Sequence, residues 1–347
     1  MISVATLAAE IGWGWLTAVK VLGVLVVIPV GALLYVYVFL FKMVSHMQSR
    51  LGPMEAGPHG TLQPVVEAVK FLQKEDIIPE RADRTVFALA PFVVMVSTFL
   101  LFVVIPAGPR LVAEDLDTGV FFALAVSSLS VIGILMAGWA SANKYSVTGG
   151  LRAAGQLIAY ELPLVLAVVG VVLQAGTMSL QGIVHAQADY EISVFGLFQV
   201  EGIPFLIPQL VGFMIFLIAA QAELTQTPFD MPIAESELVS GYMTEYSGFR
   251  FLFFFMAEFA TAFALAAIAA TLFLGGWYLP GVEGTLADVL GPVVLVAKVM
   301  LVGFLIFWVR FTYPRFREDQ LQTFAWKYLI PLSLVNILVT GIFKVAF

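Results

Sequence analysis

Long apolar stretches alternate with shorter polar connections along the chain. A helix needs about 20 mostly apolar residues to cross a bilayer, and eight stretches reach this length: roughly 14–41, 86–107, 119–141, 155–176, 204–222, 249–275, 290–310 and 327–346. Backbone groups in lipid have no water to bond, so helices are the expected form. We therefore predict an all-α integral membrane protein with eight transmembrane helices, in which residues 1–347 form a single polytopic membrane domain.

A second kind of helix is predicted in the first polar connection. Within residues 61–74 apolar side chains recur at helical spacing: Leu62, Val65, Val66, Val69 and Leu72. The segment is too short to span, so we predict a short amphipathic helix that lies in the membrane interface. Packing of the same apolar stripe against a partner protein fits the pattern equally well.

Basic residues are distributed unevenly among the connections. Four of them hold 13 of the 17 lysines and arginines: residues 42–85, 142–154, 223–250 and 310–327. Because connections rich in Lys and Arg stay inside the cell, these four are expected in the cytoplasm. With eight spans, both termini would then lie outside.

The composition agrees with a membrane protein and limits its chemistry. Of the 347 residues 61% are apolar and 12% charged, and the mean hydropathy is +0.97, whereas soluble domains are about half apolar and a quarter charged. The chain has no cysteine and hence no thiolate for an iron–sulfur cluster. Its histidines, His46, His59 and His185, lie outside the predicted spans. We expect no metal, haem or iron–sulfur cluster on this chain.

Ionisable residues concentrate in one stretch, residues 222–260, which we call the acidic segment. It contains one basic residue, Arg250, and six acidic ones: Glu223, Asp230, Glu235, Glu237, Glu245 and Glu258. Glu161 and Lys298 lie inside predicted spans as well. Ionisable groups within a membrane are costly and are therefore functional candidates, here for proton transfer. The alternatives are a structural ion pair between Lys298 and a glutamate, and a solvated acidic loop.

The prolines that flank Asp230 predict a short helix over about 231–244. On such a helix Glu237, Gly241 and Glu245 would share one face. Like charges at this spacing repel each other. Their arrangement therefore favours a water-filled or cation-lined cavity.

The last polar connection, residues 310–327, is both basic and aromatic. It could neutralise the acidic segment, bind lipid phosphate or dock a partner.

Ordered motifs run through most of the chain. They are QSRLGP at 48–53, GTLQP at 60–64, KED at 74–76, ADRTVFALAP at 82–91, GWASANKYSVTGGLRAAGQLIAYELPL at 138–164, TPFD at 227–230, AESELVSGYMTEYSG at 234–248 and PRFREDQL at 314–321. Together they resemble the family of the quinone-chamber membrane subunit of respiratory complex I, over about residues 15–345. The family comprises the H subunit of the bacterial NADH-quinone oxidoreductase and NADH dehydrogenase subunit 1 of mitochondria.

The resemblance implies a membrane-arm subunit of a proton-translocating NADH:quinone oxidoreductase, a translocase of the respiratory chain. In that family an amphipathic helix and tilted spans form the quinone-binding channel. The substrate quinone, ubiquinone or menaquinone, is reduced by the peripheral subunits, so this chain would carry no redox centre. Carboxylates and a lysine then couple quinone reduction to proton pumping.

Individual roles are implied by position in the motifs. Relay groups would be Glu161, Glu223 and Glu258, with Lys298 as a further candidate. The junction of cavity and relay would hold Asp230, Glu235, Glu237 and Glu245. The quinone path would be lined or shaped by Gln48, Arg50, Asp83, Phe229 and Arg310.

The sequence departs from the family where charged residues are usual. Leu40 and Phe41 stand in place of Glu-Arg, Thr225 and Gln226 in place of Asn-Arg, and Ile233 in place of a glutamate. Two carboxylates and two arginines are missing, so the net charge is nearly unchanged.

The expected partners are the other membrane-arm and peripheral-arm subunits of complex I, quinone and membrane lipids, and no nucleic acid. The expected location is the bacterial cell (inner) membrane, with the mitochondrial inner membrane as the alternative. Three other functions stay open: an ion-pumping subunit of a membrane-bound hydrogenase or formate hydrogenlyase complex, a stand-alone secondary transporter, and a purely structural anchor, which the glutamates within the spans disfavour. The absence of matching halves in the sequence disfavours the transporter.

Overall fold

The computed structural model describes residues 15–194, 198–282 and 284–346. Its helices are α1 (Trp15–Tyr35, continued by Val36–Met43 and Val44–Met47), α2 (Gln63–Gln73), α3 (Arg84–Val103), α4 (Gly119–Ala140), α5 (Lys144–Ala175), α6 (Leu180–Ala188), α7 (Leu210–Glu223), α8 (Gly248–Phe273), α9 (Thr285–Thr312) and α10 (Glu318–Phe324, continued by Ala325–Leu329 and Ile330–Ala346). A short antiparallel hairpin, β1 (Glu191–Val194) with β2 (Phe198–Glu201), joins α6 to α7.

Seven helices in the described part of the chain are long and apolar enough to cross a membrane: α1, α3, α4, α5, α8, α9 and α10. The predicted multi-pass helical membrane protein is thereby confirmed. The predicted span over 204–222 corresponds to α7, which has only 14 residues. A helix of that length rises about 21 Å, less than the roughly 30 Å of a bilayer core. The count of eight spans is therefore not confirmed.

Helix α8 lies at the centre of the bundle and contacts α1, α3 and α9. From Ala262 to Phe273 every residue of this helix is buried. Six of these twelve residues are alanine, and small side chains let neighbouring helices approach closely within a membrane. A helix that is apolar on all sides is expected in such an interior position.

Helix α5 organises the other side of the bundle, where it contacts α4, α7 and α10. It has 32 residues and begins at Lys144, well before the predicted start at 155. Asn143 caps it by accepting a hydrogen bond from Tyr145 N at 2.9 Å. The extra turns carry polar residues beyond the apolar stretch, and they provide the surface on which the acidic segment lies.

Helix α2 forms in the first polar connection, as predicted. Its apolar side chains are exposed in this chain, at 44% for Val65, 53% for Val66 and 58% for Leu72. The opposite side, with Pro64 and Phe71, faces α1 and α8. The exposed stripe suits the membrane interface and a partner protein equally well, so the interfacial position stays a prediction.

The orientation can be tested with single cysteines, because the chain has none of its own. Glu55 lies in the connection after α1 and Asp117 in the connection before α4, and both side chains are exposed. A membrane-impermeant thiol reagent applied to intact cells is expected to label Asp117→Cys and not Glu55→Cys. Labelling of Glu55→Cys from outside would overturn the orientation, and inverted vesicles provide the reciprocal control.

Candidate functional site

The acidic segment is attached to one face of α5. Ser146 Oγ donates to Tyr242 O at 3.1 Å. Three residues further along α5, Gly149 lies against Gly241, where a Cβ would meet Gly241 Cα at 2.7 Å. Residues spaced by three or four share a helix face, so hydrogen bonding and close backbone contact act together here.

The helix predicted over 231–244 is wrong. Only a helical turn at Glu235–Leu238 and a 3₁₀ turn at Gly241–Met243 form. Positive φ angles of 35° at Ala234 and 67° at Val239 interrupt the helix on both sides of the first turn. The break accompanies the close contact with α5, because Gly241 in that contact has a φ of 56°, which lies outside the right-handed helical range.

The face predicted to join Glu237, Gly241 and Glu245 is consequently absent. Glu237 is exposed and bonds two arginines, Arg152 at 2.7 Å and Arg315 at 3.1 Å. Glu245 instead accepts a hydrogen bond from Asn143 Nδ2 at 2.5 Å. The two carboxylates therefore have separate partners, and the repulsion expected between them does not arise.

A cavity of about 680 Å³ opens beside the acidic segment. Its charged lining consists of Asp230, Glu235, Glu258, Arg310 and Arg315. Three of the predicted carboxylates thus share one space with two arginines, without the helix that was expected to align them.

Glu258 is the carboxylate of this cavity that lies within a helix long and apolar enough to span a membrane, α8. Its Oε1 lies 3.4 Å from Arg310 Nη1 and accepts a hydrogen bond from Gln226 Nε2 at 3.2 Å. The guanidinium of Arg310 lies over the ring of Phe259, 5.8 Å from its centroid. Aromatic faces stabilise a guanidinium that has lost part of its hydration, so Arg310 is held where it neutralises Glu258.

Carboxylates outside the spans differ in their proton affinity. Burial raises the pKa of Asp230 above its usual range, against the opposing effects of the Ala234 backbone N–H and of Arg315. The hydrogen bond from Arg152 lowers the pKa of Glu237. Desolvation favours the protonated form of a carboxyl, and a cationic partner favours the ionised form. Of these two groups, Asp230 is the one suited to take up a proton.

Glu161 and Glu223 form a second pair of carboxylates, on α5 and at the end of α7. They lie close enough to interact electrostatically, and Ser127 of α4 lies beside Glu223. Glu223 Oε2 is buried and has no hydrogen-bond partner among the described protein groups. A carboxyl in this setting is costly to keep ionised.

A narrow apolar cleft of about 30 Å³ lies between α1, α2 and α8. Its walls include Val36 of α1, Phe71 of α2 and Phe255 of α8. Phe255 also lines the 680 Å³ cavity, so the cleft and the cavity adjoin at this ring. Phe255 cannot be recognised from the sequence, because one phenylalanine among many in an apolar stretch carries no signal of its own.

Comparison with known proteins identifies the family. The family model described as NADH dehydrogenase matches residues 19–341. The chain belongs to the NADH dehydrogenase family. This confirms the resemblance drawn from the sequence motifs.

Relatives in the NADH dehydrogenase family match over most of their length, and those compared are all named as the H subunit of NADH-quinone oxidoreductase. The Brevibacillus brevis protein is 45% identical over 333 residues, which is 95% of this chain and 94% of the relative. The Dehalococcoides mccartyi protein is 46% identical over 301 residues, 86% of this chain and 79% of the relative. The Geobacillus kaustophilus protein is 46% identical over 307 residues, 88% and 87% of the two chains.

The other quinone-path candidates of this NADH dehydrogenase family member do not line the cavity. Gln48 and Arg50 are exposed and bond each other at 2.8 Å. Asp83 is exposed and caps α3 by accepting from Thr85 N at 3.1 Å. Phe229 is buried with its ring 5.1 Å from that of Tyr160.

Lys298 also lies apart from the described carboxylates. It donates to the backbone carbonyl of Tyr278 at 2.8 Å. The structural ion pair considered for Lys298 is therefore not formed with any glutamate that the structure describes. Within the described residues no cluster of three or more His, Asp or Glu side chains could hold a metal ion.

The close contact between α5 and the acidic segment predicts a position-specific effect of one methyl group. Gly149→Ala is expected to destabilise the contact by about 1–3 kcal/mol through overpacking. Gly155→Ala adds the same methyl group to the same helix, where it would meet only Gln322 Nε2 at 3.8 Å. The fraction of folded chain remaining after heating in detergent should fall for Gly149→Ala alone. An equal folded fraction for the two variants after heating would contradict the close contact between Gly149 and Gly241.

Proposed function

We propose that this chain is the quinone-chamber membrane subunit of a proton-translocating NADH:quinone oxidoreductase. One observation carries the proposal: a narrow apolar cleft adjoins, at Phe255, a larger cavity lined by carboxylates and arginines. A quinone has an isoprenoid tail, whose apolar character matches the lining of the cleft, and a polar head, which matches the charged lining of the cavity. The name shared by the relatives supports the same reaction.

The cleft would admit the quinone from the bilayer. Its walls come from a spanning helix, the amphipathic α2 and the central α8, so both membrane and cavity are within reach. Arg310 would face the head group, and Phe229 would support the cavity wall from the side of α5. Gln48, Arg50 and Asp83 would shape the path from the exposed connections, where partner subunits cover them.

The carboxylates of the cavity would change their protonation when the quinone is reduced. Reduction of a quinone to a quinol takes up two electrons, which other subunits supply, and two protons. Asp230, Glu235 and Glu258 line the space in which that change of charge occurs. Glu237 and Glu245 would hold the surrounding loop through their bonds to Arg152 and Asn143.

From the cavity the coupling would continue to Glu223, at the end of α7, and to Glu161, inside α5. Lys298 would take part further along the membrane, where its amine has a backbone carbonyl as partner. Each of these groups is an ionisable residue within a membrane, which supports a role in proton transfer.

The assembly follows from the same proposal. The chain would form one polytopic domain with an eighth, short crossing at α7, both termini outside and α2 in the interface. Other membrane-arm and peripheral-arm subunits would cover the exposed helix faces, in the inner membrane of a bacterial cell. Electrons would pass through those subunits. The relatives' name favours this reading over a hydrogenase-type complex or a stand-alone transporter.

Replacement of Arg310 tests the quinone chamber. Arg310→Met removes the cation beside Glu258 and is expected to lower quinone reductase activity about tenfold or more, the scale of losing one charged partner in a low-dielectric site. NADH oxidation with an artificial acceptor should persist, because that acceptor takes electrons upstream. Both rates are measured on membranes with equal amounts of assembled complex.

The matched control is Arg110→Met, since Arg110 is 88% exposed at the side chain. This variant should keep both activities. Parallel loss of both activities in Arg310→Met, at equal amounts of assembled complex, would show that the defect is not specific to quinone reduction and would contradict the proposed quinone chamber.

Replacement of Glu223 or Glu161 tests the relay. Glutamine keeps the shape of glutamate but cannot carry the proton, so each variant should strongly reduce quinone reduction coupled to proton pumping. Aspartate at the same positions should be partly tolerated. The measurement is the ratio of quinone reductase activity to assembled complex.

Glu114→Gln, in an exposed connection, serves as the control and should leave this ratio unchanged. A wild-type ratio for both Glu223→Gln and Glu161→Gln would mean that these carboxylates are structural.

A further inference from the structure

A buried amide of α5 bridges two backbone carbonyls of the acidic segment. Gln156 Nε2 donates to Ala222 O and to Phe229 O, each at 2.7 Å, and Gln156 is 1% exposed. The opposite orientation of the amide would place its oxygen against two carbonyl oxygens. The chemistry of the two acceptors therefore determines which amide atom faces them.

The two carbonyls stand at opposite ends of one loop, residues 222–229. Ala222 directly precedes Glu223, and Phe229 directly precedes Asp230. The loop is also closed internally, because Phe229 N donates to Gln226 O at 2.8 Å. The side chain of Gln156, on a rigid helix, thus joins the backbone next to Glu223 to the backbone next to Asp230.

The same loop carries the partner of the third carboxylate. Gln226, at its centre, donates to Glu258 Oε1 at 3.2 Å. A shift of the loop relative to α5 would therefore move Glu223, Asp230 and the hydrogen bond to Glu258 together.

Keeping an amide at this position is costly. Gln156 Oε1 is buried and has no hydrogen-bond partner among the described protein groups. An unpaired buried acceptor costs about 1–3 kcal/mol, which an apolar side chain of similar volume would avoid. Both N–H groups of the amide are used on the loop, so donation to the two carbonyls is what distinguishes glutamine here from an apolar residue.

We propose that Gln156 is a positioning residue that sets the separation of Glu223 and Asp230. This inference rests on the proposed function, because the separation matters only if protons pass between the cavity and the span. The rate of proton transfer between fixed groups depends steeply on their geometry, and a displacement of about 1 Å can lower that rate about a hundredfold. Gln156 does not line the quinone cavity, so its removal should leave quinone binding intact.

The first variant is Gln156→Met, which keeps the length of the side chain and removes both donors. The kcat of quinone reduction per assembled complex is expected to fall about tenfold or more, within the range for misplaced groups. The KM for quinone should stay within about twofold of wild type because the cavity lining is unchanged. NADH oxidation with an artificial acceptor should be normal.

A second variant, Gln156→Asn, keeps the amide but shortens it by one methylene group, so it cannot span both carbonyls. It should show the same fall in kcat, and it decides the question if Gln156→Met does not assemble. Normal kcat in the assembled fraction of either variant would overturn the proposal. Failure of both variants to assemble would also overturn it, since the amide would then be required for folding.

Gln322→Met is the matched control. Gln322 Nε2 likewise donates to a backbone carbonyl of α5, Gly155 O, at 3.1 Å, but it holds no part of the loop 222–229. The kcat of Gln322→Met for quinone reduction should equal that of wild type.

Glu223→Gln, measured in parallel, separates the two proposals. Normal turnover of Glu223→Gln would refute the relay itself. Impaired turnover of Glu223→Gln together with normal turnover of Gln156→Met would refute the positioning role alone.

Discussion

Attachment of the acidic segment to one polar face of α5 is the interaction on which the arrangement of the site depends. Between α7 and α8 the segment contains little regular secondary structure, so its backbone carbonyls there must find donors elsewhere. Ser146 and Gln156, which lie nearly three turns apart on one helix, supply them. Tyr160, one turn further on, donates to Leu321 O at 3.0 Å and thereby ties α10 to the same face. Helix α5 is stiff and long, so groups held on it keep their relative positions.

Charge within this site is distributed between two environments. Glu237, at the exposed rim, has two arginine partners, and exposed pairs of this kind contribute little to stability because solvent screens them. Glu258 has one arginine and one amide inside the bundle, where an unpaired charge would be far more costly. Gln226 gives Glu258 a neutral donor, so Arg310 is the one cationic partner of Glu258 among the described residues. Ile233 adds an apolar side chain to the lining of the same cavity.

Much of the fold could be predicted from the sequence because burial in lipid imposes a simple requirement on composition. Seven of the eight predicted spans correspond to long helices, since some 20 apolar residues in a row have no other stable form in a bilayer. The stretch at 204–222 was harder to assign, because Pro208 delays the helix to Leu210. The start of α5 at Lys144 does not follow from hydropathy, because the first turns of this helix are polar and extend beyond the apolar stretch.

The identities of the ionisable residues were evident from the sequence, whereas their grouping was not. Glu258, Asp230, Glu235 and Arg310 share a cavity although they belong to different elements, and Lys298 lies away from the described carboxylates at the carbonyl of Tyr278. The helix predicted over 231–244 does not form, because local propensity yielded to the contact between Gly149 and Gly241. By itself the sequence determined the membrane class, most of the spans and the family, since these depend on composition and on motifs local in the chain. Only the tertiary structure decided which carboxylate meets which partner, because those contacts join residues far apart in the chain, such as Asn143 and Glu245 at 102 positions and Asp76 and Arg250 at 174.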